Sequence, residues 1–249
     1  MILNINKPIG VTSYDIIRQL KIKYPKQKIG HAGTLDPLAQ GVLICLVGGE
    51  STKRQSEFMG KDKEYVFDVL FGFSTDTYDI LGLPKFTPYN LDEIKNALPT
   101  LLEKYRGEID QEVPSFSAVK VEGQTLYRST LSGDIKENPV RKITIHNIEI
   151  LETYIVEKES LHKSILSLLE QVRKGFRQPK IIESWNNLFE EIKQDKFLIV
   201  KIKSTVSKGT YVRAIANDLG KDFGCGACTT VITRTKSGEF SIEDSVNLN

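Results

Sequence analysis

Residues 30–41 place a single carboxylate, that of Asp36, in a short glycine-bounded segment that leads directly into an apolar run. Pro37 has a fixed φ and disfavours the α region for the residue before it, so we expect Asp36 to be extended. The apolar run over residues 42–47 predicts a buried strand that anchors a loop carrying both His31 and Asp36. Functional groups are common on such loops, although an Asp-Pro pair among glycines, taken alone, favours a simple turn.

Composition places the chain among ordinary globular proteins. It has 249 residues, of which 40% are hydrophobic and 27% are charged, and this length suffices for one large domain or two small ones. No apolar run approaches the roughly 20 residues of a transmembrane helix. Residues 1–8 lack the basic and apolar regions of a signal peptide. We therefore expect a cytoplasmic protein that does not bind a membrane.

The cysteines indicate neither a disulfide framework nor a metal site. There are three, Cys45, Cys225 and Cys228, and an odd, low number argues against disulfides. The last two have the C-x-x-C spacing of zinc and redox sites, but the sequence has no second such pair to complete a tetrahedral site. We expect two small thiols in a glycine-rich bend and no bound metal.

The net charge of +2 does not by itself indicate a nucleic-acid partner, so the distribution of charge matters more than its sum. Residues 1–30 are rich in lysine and arginine, with Asp15 as their only acid. A second basic cluster consists of Arg173, Lys174, Arg177 and Lys180. Each cluster is consistent with a phosphate-binding patch or with a solvated surface, and the sequence favours neither.

Hydrophobic patterning predicts strands interspersed with helices. The expected strands cover residues 2–6, 42–47, 64–71, 118–121, 142–152 and 197–205. The expected helices cover residues 12–21, 90–105, 124–131 and 211–223, with Pro99 kinking or splitting the second. Because the order has no strict strand–helix–strand rhythm, we expect an α+β fold with a central mixed or antiparallel sheet flanked by helices.

Residues 155–197 differ in pattern from the rest of the chain. Two apolar stripes at helical spacing, joined by a segment with Gly175 and Pro179, predict a helical hairpin inserted between two strands. Such a hairpin either packs on the edge of the sheet or contacts a partner, and the sequence leaves both alternatives open.

Two other segments carry side chains that suit a site around Asp36. Tyr65 lies at the start of a strand, from which its ring can project. Residues 207–213 run from a strand end into a helix start, where backbone amides attract anions. Arg213 has a planar guanidinium that matches a carboxylate, and beside Asp36 it would keep that group ionised and oriented.

Together these segments resemble the bacterial tRNA pseudouridine-55 synthases of the TruB type. The strings that carry the resemblance occur in order along the chain: NKPIGVTS (6–13), GHAGTLDPLAQGVL (30–43), GESTK (49–53), KEY (63–65), TDT (75–77), VPSFSAVK (113–120), SKGTYVR (207–213), DLG (218–220) and GCGA (224–227). A single string would be weak support, but this many in sequence is highly specific.

The resemblance implies roles for individual residues. Asp36 corresponds to the catalytic aspartate, Tyr65 to the aromatic residue that stacks on the target base, and Arg213 to the arginine that pairs with the carboxylate. The other residues expected to bind substrate are His31, Tyr211, Lys7 and Lys208. Asp76 and Asp79 either orient groups of the pocket or cap a turn.

The resemblance also implies the domain organisation and the partner. We expect one pseudouridine synthase catalytic domain over residues 1–249, interrupted by the hairpin at 155–197, with a mobile thumb over residues 107–135 that closes on RNA. The C-terminal RNA-binding domain of the PUA type, usual in the family, is expected to be absent because the chain ends at Asn249. The expected partner is the T stem-loop of tRNA, bound by a monomer that needs no obligate protein partner.

The implied reaction converts uridine 55 in the T arm to pseudouridine. The uracil is detached from C1′, turned and reattached through C5, so we expect no cofactor. The alternatives are the same chemistry on another RNA, a chaperone that folds tRNA, and a hydrolase of glycosidic bonds. A hydrolase normally needs two carboxylates or an activated water, and only Asp36 is clearly placed.

Overall fold

The computed structural model describes residues 1–134, 137–173 and 175–248. Three residues named in the sequence analysis lie outside these ranges: Ile135 of the expected thumb, Lys174 of the second basic cluster, and Asn249. The strands are β1 (Ile2–Lys7), β2 (Ile29–Ala32), β3 (Ala39–Val47), β4 (Lys63–Phe71), β5 (Phe73–Thr75), β6 (Pro84–Phe86), β7 (Gly107–Glu112), β8 (Lys120–Val121), β9 (Gln124–Thr125), β10 (Val140–Glu157), β11 (Lys196–Val206), β12 (Ala227–Ser237) and β13 (Phe240–Ser241). The helices are α1 (Ser13–Lys23), α2 (Gly49–Lys53), α3 (Gln55–Met59), α4 (Leu91–Glu103), α5 (Leu126–Leu131), α6 (Lys158–Gln171), α7 (Gln178–Glu191) and α8 (Val212–Asp222). None of the described helices is long and apolar enough to cross a lipid bilayer.

One large sheet organises the molecule. Nine of the described strands belong to it, in the order β1-β3-β12-β4-β11-β10-β7, with β2 added to β3 and β13 to β12. Neighbouring strands are antiparallel, except that β12 runs parallel to β3. This central, mostly antiparallel sheet with flanking helices confirms the expected α+β class.

Both faces of the sheet are covered, because successive strand residues point into two different hydrophobic cores. On β11, Leu198, Val200 and Ile202 belong to the core that also contains side chains of α1, α4 and α8. Phe197 and Ile199 belong to the second core, to which α6 and α7 contribute. The loops at the strand ends therefore project from a layer that is packed on both sides.

Helices α6 and α7 form a hairpin between β10 and β11, which pair with each other directly. Trp185 is fully buried, and its indole N–H donates to the carbonyl of Ile80 (3.0 Å). The ring of Phe73 lies 5.3 Å from that of Trp185 and 5.7 Å from that of Phe189. The hairpin therefore packs on a face of the sheet rather than on its edge.

Several elements differ from their expected form. Helix α4 runs unbroken through Pro99, so the expected split is wrong. Pro99 is exposed, and solvent can therefore satisfy the carbonyl that loses its N–H partner. The strand expected over residues 118–121 is shortened to Lys120–Val121, which pairs with Gln124–Thr125 and delays the next helix to Leu126. Strand β12, at the centre of the sheet, has no counterpart among the expected strands.

Candidate active site

Asp36 lies on the loop between β2 and β3, and hydrogen bonds hold this loop on two sides. The Ser13 hydroxyl donates to the carbonyl of Leu35 (3.1 Å) and accepts from its N–H (2.8 Å). The carbonyl of Pro37 accepts from the N–H of Gly10 (2.8 Å). The start of α1 and the turn after β1 therefore fix the backbone immediately before and after Asp36.

Arg213 and Asp36 form a two-point ion pair. Arg213 Nε donates to Asp36 Oδ2 (2.8 Å), and Nη2 donates to Oδ1 (3.3 Å). The arginine side chain is 3% exposed, whereas that of Asp36 is 35% exposed. Because a guanidinium can hold both oxygens of a carboxylate, the pair fixes the orientation of Asp36 and leaves it accessible.

The same guanidinium has further partners that hold it in place. Nη2 also donates to the carbonyl of Phe116 (3.2 Å), and Nη1 donates to that of Thr77. Asp79 Oδ2 lies 3.8 Å from Nε. Burial raises the pKa of Asp79 to about 6; Arg213 opposes this rise and the charge of Asp36 adds to it. Arg213 therefore lies between a buried carboxyl and an accessible one.

Asp76 and Asp79, for which the sequence left two roles open, differ in their partners. Asp79 caps the turn by accepting from the N–H of Leu81 (3.0 Å), and it also faces Arg213. Asp76 instead pairs with Arg177 of the hairpin, whose Nη1 lies 2.7 Å from Oδ2. Asp79 thus both caps the turn and orients a group of the pocket.

Two cavities meet at Asp36 and Arg213, which contribute to the lining of both. The first cavity has a volume of about 300 Å³, and its lining includes Tyr65, Tyr211 and Ile232. The second cavity has a volume of about 330 Å³, and its lining includes His31, Phe116, Tyr127 and Arg177. A group bound in either cavity can reach the carboxylate of Asp36.

Four of the candidate residues come together around the first cavity, namely Asp36, Tyr65, Tyr211 and Arg213. Tyr65 projects from β4 and is partly buried, so one part of its ring packs on the core and the rest faces the cavity. Burial raises the pKa of Tyr211, whose phenol is therefore protonated near neutral pH. The first cavity combines an aromatic surface, a hydroxyl and an oriented carboxylate.

His31 lines the second cavity from strand β2. The expected loop position is wrong, because Ile29–Ala32 pairs with β3 and places His31 opposite Cys45. Burial lowers the pKa of His31, and the charge of Arg234 acts in the same direction. The ring is therefore neutral at pH 7, and its buried Nδ1 has no hydrogen-bond partner among the described residues.

Lys7 and Lys208 lie outside the lining of both cavities. Lys7 is fully buried, and its amino group donates to the carbonyls of Pro8 (2.9 Å) and Val11 (2.7 Å). Burial lowers the pKa of Lys7 to about 7, although the charge of Asp36 opposes this. Lys7 thus supports the turn that contacts the Asp36 loop, whereas Lys208 is exposed in the turn after β11.

The sequence patterns did not single out Arg234, which also lines the first cavity. It lies on β12, where Nη2 donates to the carbonyl of Gly33 (2.9 Å) and Nε to that of Val42 (2.7 Å). These bonds tie β12 to the start of the Asp36 loop at Gly33 and to strand β3 at Val42. Residues 229–235 are mostly threonine, valine and isoleucine, and this β-branched run is the signal that predicts a strand here.

The second basic cluster is partly neutralised within the protein. Arg173 Nη1 lies 2.6 Å from Asp15 Oδ1, and Arg177 pairs with an acid as described above. Lys180 is exposed. Arg173 and Arg177 therefore pair with acids of the same chain, whereas Lys180 is accessible to a partner.

Sequence comparison identifies the class of protein that carries this site. The family model described as TruB family pseudouridylate synthase (N terminal domain) matches residues 19–166. The chain is 38% identical to tRNA pseudouridine synthase B of Fusobacterium nucleatum, over 97% of this chain and 69% of that protein. It is 35% identical to the protein of the same name in Protochlamydia amoebophila, over 99% of this chain and 77% of that protein. The chain therefore belongs to the TruB family of pseudouridylate synthases.

Solved structures share the fold over nearly the whole chain. A Cbf5-Nop10-Gar1 complex contains a chain that matches with a TM-score of 0.61 and 23% identity, over 99% of this chain and 52% of that one. An H/ACA RNP bound to a substrate RNA containing 2′-deoxyuridine contains another, with a TM-score of 0.58 and 20% identity, over 99% of this chain and 50% of that one. The chain thus spans about half the length of these solved chains and has their fold.

Proposed function

We propose that the protein is an isomerase that converts a uridine of tRNA to pseudouridine, and that its target is uridine 55 in the T arm. Membership of the TruB family and the names of its relatives support this activity and this substrate. The observation that carries the proposal is the carboxylate of Asp36, held at two points by the buried Arg213 where two cavities meet.

In the proposed reaction, Asp36 acts at C1′ of the target nucleotide, as a nucleophile or as an electrostatic stabiliser. The bond between N1 and C1′ breaks, the uracil turns, and C5 forms a new bond to C1′. C5 then loses its proton and N1 gains one, so the product is an isomer of the substrate. Arg213 holds both carboxylate oxygens of Asp36 and keeps the group correctly oriented throughout.

The first cavity suits the detached base. Its volume of about 300 Å³ can hold a uracil between bond breaking and bond formation. Stacking of the base on Tyr65 contributes about 1–3 kcal/mol, by analogy with proteins that bind single-stranded nucleic acid. Tyr211, protonated near neutral pH, supplies a hydroxyl that can donate to a carbonyl of the base.

Entry of the uridine requires that the base leaves its stack, which costs a few kcal/mol. His31 lines the second cavity on the other side of Asp36, where its neutral ring can contact the RNA loop that remains. Contacts of exposed cations such as Lys180 and Lys208 with phosphates offset part of the cost of flipping. We propose that a monomer performs these steps in the cytoplasm without an obligate protein partner.

The test is incubation of the protein with an unmodified tRNA transcript, followed by mapping of pseudouridine along the RNA. The expected result is product at position 55. Asp36→Asn should abolish turnover and change RNA affinity by less than about threefold, whereas Asp195→Asn, at an exposed residue between α7 and β11, should leave both unchanged. Product on another RNA only, free uracil, or tRNA binding without turnover would contradict the proposal.

A further inference from the structure

The guanidinium of Arg234 is a buried charge whose partners are neutral. The residue is 1% exposed, and its hydrogen bonds end on the carbonyls of Val42 and Gly33. Within the described part of the chain, no carboxylate pairs with it and Nη1 makes no hydrogen bond. Nη1 is not one of the buried side-chain atoms without a partner, so it is accessible from the first cavity, where a ligand can supply its acceptor.

Strand register places this guanidinium beside the proposed base platform. Arg234 lies directly opposite Tyr65 in the antiparallel pairing of β12 with β4. Side chains of directly opposite residues lie on the same face of a sheet, as do those two residues apart on one strand. Lys63, two residues before Tyr65, therefore shares this face, and all three side chains line the first cavity.

Lys63 is a second buried cation in the same lining. Its amino group donates to the carbonyls of Met59 (2.7 Å) and Lys61, and the residue is 7% exposed. Burial and the charge of Arg234 lower the pKa of Lys63 to about 8, with Lys208 acting in the same direction and the exposed Asp62 opposing it. The two buried cations repel each other, and an anion bound between them would relieve this repulsion.

Two exposed basic residues lie near the buried Arg234 and Lys63. Arg141, exposed on β10, lines the first cavity, and Lys208 is exposed close enough to influence the pKa of Lys63. Asp36 is the acidic residue in this lining, and its charge is already matched by Arg213. The surplus of positive charge beside the platform therefore suits a polyanion rather than a neutral ligand.

We propose that Arg234 and Lys63 bind a phosphodiester group of the RNA, next to the nucleotide whose base stacks on Tyr65. Nη1 of Arg234 donates to one non-bridging oxygen and the amino group of Lys63 donates to the other. This anchor has a use in the reaction, because it holds the ribose against Asp36 while the base is detached from C1′. The inference rests on the proposed function, since it assumes that RNA enters the first cavity.

The test uses RNA stem-loops that carry one uncharged methylphosphonate linkage, either on the 5′ or on the 3′ side of the target uridine. One of these two RNAs should bind wild-type protein about tenfold more weakly than natural RNA, as expected for loss of a hydrogen-bonded charge pair. Lys63→Gln should weaken binding of natural RNA to a similar extent. The methylphosphonate that weakens binding to wild-type protein should then reduce the RNA affinity of Lys63→Gln by less than about a further twofold.

A matched control is Lys142→Gln, which removes one exposed lysine beside Arg141 whose amino group pairs with Glu108 (3.0 Å). In this variant the methylphosphonate should retain its full tenfold effect. Lys63→Arg keeps the charge and should restore the sensitivity, which separates a phosphate contact from a merely structural role of Lys63.

Wild-type affinity that neither methylphosphonate changes would overturn the phosphate site, and this measurement needs no variant that has to fold. The phosphate site would also be overturned if the methylphosphonate weakened RNA binding by the full tenfold in Lys63→Gln as well as in the wild type. Pseudouridine mapping on natural RNA tests the proposed function separately. If pseudouridine forms but the effects of Lys63→Gln and the methylphosphonate on binding are independent, only the phosphate site is refuted. If the two effects depend on each other but no pseudouridine forms, only the isomerase activity is refuted.

Discussion

Replacing Arg213 by lysine tests whether Asp36 needs orientation or only a neighbouring positive charge. The variant keeps the charge but removes the planar group that holds both carboxylate oxygens. A lysine ammonium can contact one of these oxygens from the end of a flexible chain. The substitution also removes the guanidinium N–H groups that donate to the carbonyls of Phe116 and Thr77.

The magnitude follows from the bonds that are lost. One charge-assisted hydrogen bond to Asp36 contributes about 1.5–3 kcal/mol, which corresponds to a decrease of about 10- to 150-fold in the rate of the chemical step. Loss of the donor to a buried carbonyl costs about 1–3 kcal/mol of folding free energy. We therefore expect Arg213→Lys to be folded, less stable and slow.

The assay is a single-turnover measurement of pseudouridine formation with protein in excess over a tRNA transcript, at a temperature below the unfolding range of the variant. Arg54→Lys is the matched control, because Arg54 holds both oxygens of Glu57 at 2.9 Å on the surface. This exposed pair has the same two-point geometry, and its loss should leave the rate unchanged.

A rate for Arg213→Lys within about threefold of the wild-type rate would refute this reasoning. Such a result would mean that charge alone activates Asp36 and that the two-point geometry has no catalytic value. An equal decrease for Arg54→Lys would instead mean that the assay reports stability rather than chemistry.

Three further substitutions test other parts of the structure. Since the pKa of Asp79 is raised to about 6 from the ordinary 3.8, the folded state binds more protons than the unfolded state between these values, and stability falls as pH rises through this range. This dependence amounts to up to about 3 kcal/mol in the free energy of unfolding, and Asp79→Asn should remove it. The measurement is urea unfolding at pH 4, 5 and 6, and a variant with the pH profile of the wild type would contradict the prediction. Trp185→Ala should destabilise the protein by about 3–5 kcal/mol in urea unfolding, because it leaves a cavity between the hairpin and the sheet; a loss below about 1 kcal/mol would mean that the hairpin packs loosely. Gly10→Ala should cost about 1–3 kcal/mol in thermal unfolding, because Gly10 has a φ of +90° and a Cβ there would overlap the backbone of Gln171; a stable variant would show that the hairpin turn can move away.

The Asp36 loop could be predicted from the sequence because it depends on local rules. Pro37 restricts Asp36, and the apolar run of β3 is buried along nearly its whole length. The resemblance to a known family then predicted that Arg213 and Tyr65 share a site with Asp36. These predictions needed no knowledge of strand order.

Other features depend on pairings between distant parts of the chain. Arg234 acquires its position only through the register that sets it opposite Tyr65, and no local pattern encodes that register. Lys7 belongs to a recognisable string, but the burial of its amino group against Pro8 and Val11 is a property of the folded turn. The charge of a residue is visible in a sequence, whereas its partner is not.

The hairpin shows most clearly why partners matter. Its turn donates from the N–H of Arg173 to the carbonyl of Gly10 (2.9 Å), and Gly10 in turn donates to Pro37 beside Asp36. On the other side, the guanidinium of Arg177 lies 4.6 Å from the ring centre of Phe116, whose carbonyl accepts from Arg213. Arg177 therefore lines the second cavity, while the backbone of Arg173 ties the hairpin to the turn beside the Asp36 loop. A sequence pattern that predicts only surface charge here overlooks these structural roles.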